Sequence, residues 1–247
     1  MRRPALLVIV RHAESIRNQI KKDTVYFADD AARRVVRGTP DHQMELTDAG
    51  HEQARQTGEA VRKRFGVFDC VYTSGYTRTE QTAQALLSAY SDDERARTPI
   101  ERNLYIRERD PGYTYDMTEA EAASAFPWLE EYWQTFGGFF SRPPGGESLA
   151  DVSSRVDTFL SMLYRERPGQ RVLVVAHGGT IRCLRFVLER WEYGKVAQLL
   201  RDDPPKNCGV TTYRVGTDGE LELDEYNRVY WTVGAPEDGR ARSAYDQ

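Results

Sequence analysis

The sequence predicts an α/β fold. It has three layers, with a largely parallel central sheet flanked by helices and a helical, aromatic-rich insertion over the edge of the sheet that carries the candidate active site. Two observations predict it. Three apolar runs, each followed by polar residues and then by a helical pattern, read as βα units around a parallel sheet. Between the second and third units, residues 113–144 gather Tyr113, Tyr115, Phe126, Trp128, Tyr132, Trp133, Phe136, Phe139 and Phe140 in a stretch that fits no such unit.

In chain order, Ala5-Leu6-Leu7-Val8-Ile9-Val10 is continuously apolar and bounded by charge, as a strand buried on both faces should be. Thr47 can cap a helix running to about Phe65, with Ala54, Gly58, Val61 and Phe65 on one face. Phe68 to Tyr72 is a weaker strand. Thr77-Arg78-Thr79-Glu80 has the capping-box pattern and should open a helix to about Ala89. In the aromatic stretch, Pro127 separates helices over about Glu119–Phe126 and Trp128–Phe136. Its rings are expected to build a small satellite core, with a pocket lining as the alternative. Ser148 opens a helix whose Val152, Val156, Phe159 and Leu163 face inward. Val172 to Ala176 is a strong strand, and Ile181 to Leu188 a helix after it. Residues 209–215 and 221–226 flank an Asp218-Gly219 turn, a hairpin signature. No repeat or linker divides the chain. The expected organisation is one domain over residues 1–233, with 113–144 as a cap-like insertion and 234–247 as a polar tail.

Composition narrows the class. A chain of 247 residues with 40% hydrophobic and 29% charged residues is globular and long enough to need no disulfides. The formal net charge of -4 argues against a nucleic-acid partner. Cys70, Cys183 and Cys208 are far apart and form no CxxC pair, so they suggest neither a disulfide framework nor a thiolate metal site. The apolar run at the N-terminus is too short for a signal-peptide core or a membrane span. The expectation is a reducing, cytoplasmic compartment and no membrane partner.

The chemistry gathers after the strands, where ligands bind in open parallel sheets. Arg11-His12-Ala13-Glu14-Ser15 follows the first strand, Thr73-Ser74-Gly75-Tyr76-Thr77-Arg78 the second and His177-Gly178-Gly179-Thr180 the third. Of four histidines in the chain, two stand directly after the two clearest strands. Arginine forks suit phosphate oxygens, and helix amide ends near Arg78 and Thr180 add donors. A neutral imidazole is a competent nucleophile, and neighbouring cations help keep it unprotonated. Two other readings are open at this point. Either histidine can be a satisfied structural residue, or His12, Glu14 and His177 can hold a metal, although two arginines would repel the cation. His42 and His51 sit in polar positions and read as surface, and Cys183 reads as packing.

These motifs resemble a family. Arg11-His12-Ala13-Glu14-Ser15 with Asn18 resembles the opening signature of the histidine phosphatase superfamily, the phosphoglycerate-mutase-like group. Residues 73–83 and 176–182 are similar to its second and third signatures. Leu46-Thr47-Asp48-Ala49-Gly50 and Pro144-Gly145-Gly146-Glu147-Ser148 are smaller echoes. The resemblance spans about Leu6 to Leu188. It implies that His12 is a nucleophile that becomes phosphohistidine. Arg11, Arg78 and His177 would clamp the phosphoryl group. Asn18, Ser15 and the Gly178 amide would be further substrate contacts. The proton donor is implied to be Glu108, with Glu101 and Asp110 as alternatives.

The implied activity is hydrolysis of a small phosphomonoester to alcohol and inorganic phosphate, without metal or organic cofactor. A phosphoglycerate-type mutase and a non-catalytic module for phosphorylated ligands are the alternatives. The family's mutases typically carry asparagine after the His-Gly pair, where this chain has Gly179. They also have basic and aromatic residues around the acid that Arg109-Asp110-Pro111-Gly112-Tyr113 does not reproduce. Two further departures stand out. The family more often has glycine at Ala13, where a positive φ would strain alanine by about 1 kcal/mol or more. The segment from Ile20 to Gln43 is long, and its Arg33, Arg34 and Arg37 read as solvated charges, with a second phosphate contact as the alternative.

Overall fold

The computed structural model describes residues 3–22, 24, 26–192 and 203–232. The elements run β1 (Leu6–Arg11), α1 (Ile16–Lys21), α2 (Asp30–Arg34), α3 (Asp48–Phe65), β2 (Cys70–Thr73), α4 (Thr77–Leu87), α5 (Asp92–Arg97) and β3 (Ile100–Arg102). They continue with α6 (Glu119–Ala125), α7 (Leu129–Phe136), α8 (Leu149–Glu166), β4 (Arg171–Ala176), α9 (Gly178–Leu188), β5 (Val210–Val215) and β6 (Leu221–Arg228). One sheet has the order β3-β2-β4-β1-β5-β6. β3, β2, β4 and β1 are mutually parallel, while β5 runs antiparallel to both β1 and β6. The fold is therefore the expected largely parallel three-layer α/β.

Strand alternation builds the two outer layers. Leu7, Ile9, Tyr72, Val172 and Val174 face one side and pack with Val152, Val156, Phe159 and Leu163 of α8 and Ile181 and Leu184 of α9. Leu6, Val8, Val10, Val71, Leu173 and Val175 face the other and pack with Val61 and Phe65 of α3 and Ala83 and Leu86 of α4. Each such fully buried aliphatic or aromatic side chain contributes about 1.5–3 kcal/mol relative to exposure. Both faces are covered, so the strands read as unbroken apolar runs. Gly50 of α3 lies where a Cβ would stand 2.1 Å from the Glu14 carbonyl, so only glycine lets α3 pack against the segment after β1.

Several expectations need correction. β3 was not predicted. Its Ile-Glu-Arg is three residues long and mostly exposed, too short to show a period. Thr77 is the first residue inside α4 rather than its cap, and no capping box forms. Glu80, which would have closed that box, pairs with Arg102 beside it at the sheet edge. α9 begins at Gly178, earlier than expected, with His177 as its N-cap. The insertion does contain two helices, but most of its aromatics do not build a satellite core. Phe126, Trp128, Tyr132 and Phe136 form a ladder with ring centroids 5.5–6.2 Å apart, and Trp128 and Phe136 are exposed. Phe139 alone of these rings is buried, against Phe186 of α9. Ala13 is not at positive φ and carries no such strain. The polar tail, residues 234–247, lies outside the described residues. No helix among the described residues is long and apolar enough to cross a membrane.

Candidate active site

The sheet order places the site. β2, β4 and β1 are neighbours, so the segments leaving their carboxyl ends converge. Arg11 pairs with Ala176 in register, and the His12 amide donates to the Ala176 carbonyl at 2.9 Å. His12 and His177 therefore emerge side by side, with ring centroids 5.2 Å apart and edge-to-face. Both are buried.

Each ring is oriented by one nitrogen. His12 Nδ1 lies 2.7 Å from the carbonyl oxygen of Ala13, which cannot donate, so Nδ1 carries the proton and Nε2 keeps its lone pair. His177 Nε2 lies 2.8 Å from Ser74 Oγ, which is held in turn by Thr79 Oγ1 at 3.0 Å. His177 Nδ1 is buried without a hydrogen-bond partner and lies 3.9 Å from Glu108 Oε2. An orphaned buried nitrogen costs about 1–3 kcal/mol, a cost that a bound ligand oxygen would relieve.

Glu108 follows β3 and a 3-10 turn at Leu104–Ile106. Its Oε1 accepts the Arg109 amide at 2.8 Å. Arg155 of α8 fixes this turn by donating to the carbonyls of Tyr105, Arg107 and Glu108 and to Glu147. The other proposed acids are elsewhere: Glu101 pairs with Arg167, and Asp110 is exposed, its Oδ1 accepting the Gly112 amide at 2.8 Å. Glu14 is turned to the Thr47 hydroxyl at 2.8 Å. The trio expected for a metal is thus not assembled. Instead His12, Glu108 and His177 bring ligand-type atoms within 4.8 Å of one another. Arg11 and Arg78 put positive charge on this same spot, which disfavours a cation.

The arginines are positioned from several elements. Arg78, buried in the first turn of α4, donates to the Asp41 carbonyl at 2.6 Å and to its carboxylate oxygens at 3.1 and 3.2 Å. These three bonds leave two of its five N–H groups. Arg11 donates to the Pro205 carbonyl at 2.6 Å. Ser15 caps α1, and its Oγ accepts the Asn18 amide at 3.2 Å. Asn18 Oδ1 receives the Ser15 amide, the Ser15 hydroxyl and Asn207 Nδ2. The Asn18 NH2 is the end left without an acceptor among the described residues. The first amides of α9, starting at Gly178, are unused within the helix and face the same strand ends. Arg33 is committed to Asp30 and Glu121, and Arg34 to Asp30, while Arg37 is exposed. None of these three has a partner in the His12 cluster.

Asp41, Asn207 and Arg155 were missed by sequence reasoning. Asp41 opens a short 3-10 helix, Asp41–Gln43, and Asn207 lies in an irregular segment, both far along the chain from the groups they hold, and Arg155 belongs to none of the motifs. Asn207 Nδ2 also donates to the His12 carbonyl at 3.0 Å, tying the segment before β5 to the first motif.

Electrostatics separate the three central groups. Burial first, then the Arg78 and Arg11 charges, hold His12 well below the usual histidine range. Burial and Arg78 do the same for His177. Burial raises Glu108 above the usual glutamate range, although Arg78 and the Arg109 amide oppose it. These directions carry a stability consequence. The unfolded chain protonates both histidines near pH 6.5, whereas the folded chain does so only at lower pH. The histidines' contribution to stability should be complete above pH 6.5 and be lost as pH drops below it, by about 1.4 kcal/mol per pH unit for each histidine that stays neutral in the folded chain, while the raised Glu108 acts in the opposite sense. Urea unfolding at pH 7.5 and 5.5 measures this. His12→Gln should flatten the dependence by one histidine's share, and an unchanged dependence would contradict the desolvated His12.

The class follows from these contacts and from comparison with known proteins. The profile of the histidine phosphatase superfamily (branch 1) matches residues 7–228, and the chain belongs to that superfamily. Its members are catalytic phosphatases or mutases. Among curated relatives, the 2,3-bisphosphoglycerate-dependent phosphoglycerate mutase of Rhizobium etli is 33% identical over 230 residues, covering 92% of this chain and 98% of the relative. The phosphoglycerate mutase-like protein AT74 of Arabidopsis thaliana is 29% identical, covering 89% and 68%. Among solved structures, the mycobacterial glucosyl-3-phosphoglycerate phosphatase complexed with VO3 has a TM-score of 0.67 at 23% identity, covering 90% of this chain and 99% of that one. Bacillus stearothermophilus YhfR has a TM-score of 0.68 at 20% identity, covering 89% and 95%. These two structural likenesses concern the fold.

Proposed function

We propose that the protein is a phosphohydrolase that cleaves a small phosphomonoester through a phosphohistidine on His12. The observation that carries this reading is the pairing of an oriented, neutral His12 Nε2 with a Glu108 of raised pKa in one cluster. In the first step Nε2 attacks phosphorus, the ester P–O bond breaks, and Glu108 gives its proton to the leaving alkoxide. In the second step water attacks phosphorus of the phosphohistidine, the Glu108 carboxylate takes a proton from that water, the P–Nε2 bond breaks to restore the neutral imidazole, and inorganic phosphate leaves. Arg11, Arg78, His177 Nδ1 and the Asn18 NH2 stabilise the three non-bridging oxygens, joined by the Gly178 amide. Ser15 acts through Asn18, whose amide it orients as a helix cap. Phosphate must share or displace the Asp41 carboxylate on Arg78.

The second reading is a phosphoglycerate-type mutase, favoured by the name of the Rhizobium etli relative. Three features support hydrolysis over it. A Cβ at Gly179 would stand 2.9 Å from Glu108 Oε1, so glycine here leaves that side of the acid uncovered. About a quarter of the Glu108 side chain (26%) remains accessible, whereas a mutase must keep water from its phosphoenzyme. In addition, Arg109 next to the acid is spent on the Glu147 carbonyl at 2.6 Å and so is drawn away from a substrate carboxylate. A panel of phosphomonoesters assayed for phosphate release, alongside isomerisation of 3-phosphoglycerate, separates the two. Release exceeding isomerisation is expected, and isomerisation without net release would establish the mutase.

A further inference from the structure

The second motif, Thr73-Ser74-Gly75-Tyr76-Thr77-Arg78, gives the site Arg78 and Ser74, which holds His177, but Tyr76 has no part in the two steps above. Gly75 stands at a φ of 81°, a left-handed conformation that turns the chain sharply after β2. Tyr76 is then the N-cap of α4. Its amide donates to Ser74 Oγ at 3.2 Å, the same oxygen that meets His177 Nε2 at 2.8 Å. Its carbonyl accepts the Thr79 hydroxyl at 2.8 Å and the Thr79 amide at 2.9 Å. One serine thus sets both the imidazole and the Tyr76 backbone, and the Tyr76 ring is carried on a fixed turn.

The ring is hemmed in. It stands edge-to-face with His177 at a centroid distance of 5.1 Å and with His42 at 6.3 Å, and the Arg78 guanidinium lies 4.9 Å from its centroid. The hydroxyl is the part left to a ligand. It makes no hydrogen bond among the described residues, although the side chain is partly buried. The neighbouring phenol of Tyr115, in contrast, already donates to Asp41 Oδ1 at 3.2 Å. The charges that act on the Tyr76 oxygen are those of Asp41, Arg78, Glu108 and Arg107, which places it among the groups around the proposed acid. Burial, then Asp41, raises its pKa, so the phenol stays neutral and can both donate and accept.

We propose that Tyr76 is a specificity-determining residue for the leaving group: its hydroxyl, beside Glu108, hydrogen-bonds a hydroxyl on the carbon next to the ester carbon, so that monophosphates of diols, polyols or sugars are preferred over those of simple alkanols. This rests on the reading of Glu108 as the acid that meets the leaving oxygen. A vicinal hydroxyl is the polar group such an alcohol carries nearest to its ester oxygen, and so the one that a donor next to the acid can reach. An alkanol ester displaces water from Tyr76 and returns no hydrogen bond.

Ethylene glycol monophosphate and ethyl phosphate test it, because their leaving alcohols differ only by that hydroxyl. The wild-type kcat/KM for phosphate release should favour the glycol ester by about threefold to tenfold, the effect of one hydrogen bond. Tyr76→Phe keeps the ring among its three neighbours and removes the hydroxyl. The preference should then disappear, chiefly through a higher KM for the glycol ester. Tyr164→Phe, which removes a phenol beneath Arg3 at the opposite end of β1, should leave the preference intact. A wild type that treats the two esters alike, or a preference that survives Tyr76→Phe, overturns the assignment, and release of phosphate from both esters would leave the phosphohydrolase reading standing. Calorimetric binding of the two esters to His12→Ala, with and without Tyr76→Phe, reads the hydroxyl without turnover. A preference seen there in a protein that releases phosphate from no ester, nitrophenyl phosphate included, would keep the Tyr76 contact and remove the hydrolase reading.

Discussion

His12→Ala is expected to reduce phosphate release by at least about a thousandfold, because no other group can take the phosphoryl group at that position. The neighbouring His177 cannot substitute, since its Nε2 is held by Ser74 and its Nδ1 faces Glu108. The fold should survive. His12 lies just beyond the end of β1, and its backbone bonds to Ala176 and Asn207 do not involve the imidazole. Removing the ring frees the Ala13 carbonyl, a loss of about 1–3 kcal/mol, partly offset because a desolvated imidazole is removed as well. Circular dichroism and the Tm check that point. Wild-type enzyme mixed with substrate and quenched in base should yield an acid-labile, base-stable phosphoenzyme that His12→Ala lacks. Near-wild-type turnover by His12→Ala would falsify the phosphohistidine mechanism.

Glu108→Gln should separate substrates by leaving group. An alkoxide needs a proton as it departs, whereas nitrophenolate leaves readily without one. Release from alkyl phosphates should slow by about 10²–10⁴-fold, and formation of the phosphoenzyme from nitrophenyl phosphate far less. The same carboxylate is assigned to activate the attacking water, so phosphoenzyme should accumulate when the leaving group is good. The pH dependence follows from the two opposed shifts. Glu108 must be protonated for the first step, and its raised pKa extends that form above the usual glutamate range. His12 must be neutral, and its lowered pKa extends that form below the usual histidine range. For alkyl phosphates the rate should rise as His12 loses its proton and fall as Glu108 loses its own. The optimum is then on the acidic side of neutrality, and the alkaline limb should disappear in Glu108→Gln. Equal slowing of both substrate types would remove Glu108 from the acid role. Asp110→Asn and Glu101→Gln would then be compared in the same way, although neither carboxylate is in the His12 cluster.

Much of this site was legible in the chain. Two-sided burial makes β1 and β4 unbroken apolar runs, and a parallel sheet gathers its ligand residues after such runs. His12 and His177 could thus be assigned to one edge from pattern alone. Arg11 and Arg78 followed from the same logic, and the signature resemblance singled out Glu108 among nearby acids. β3 escaped because three exposed residues carry no period. The Thr77 box failed because a local pattern cannot register that Arg102, from another strand, competes for Glu80.

The sequence by itself thus determined the α/β class, the strands that converge and the residue types delivered to their ends, since these depend on periodicity and on neighbours in the chain. Tertiary structure decided which nitrogen of each histidine is free, which carboxyl group joins them and which arginines are spent. Glu108 meets His177 only through the sheet order, Asn207 reaches His12 across 195 positions of chain, and Arg33 is withdrawn by Glu121 of the insertion. Hydrogen bonds and charge pairs act over a few ångströms, so such partners are set by where the packed elements bring side chains together. A linear pattern of residue types holds no record of those distances.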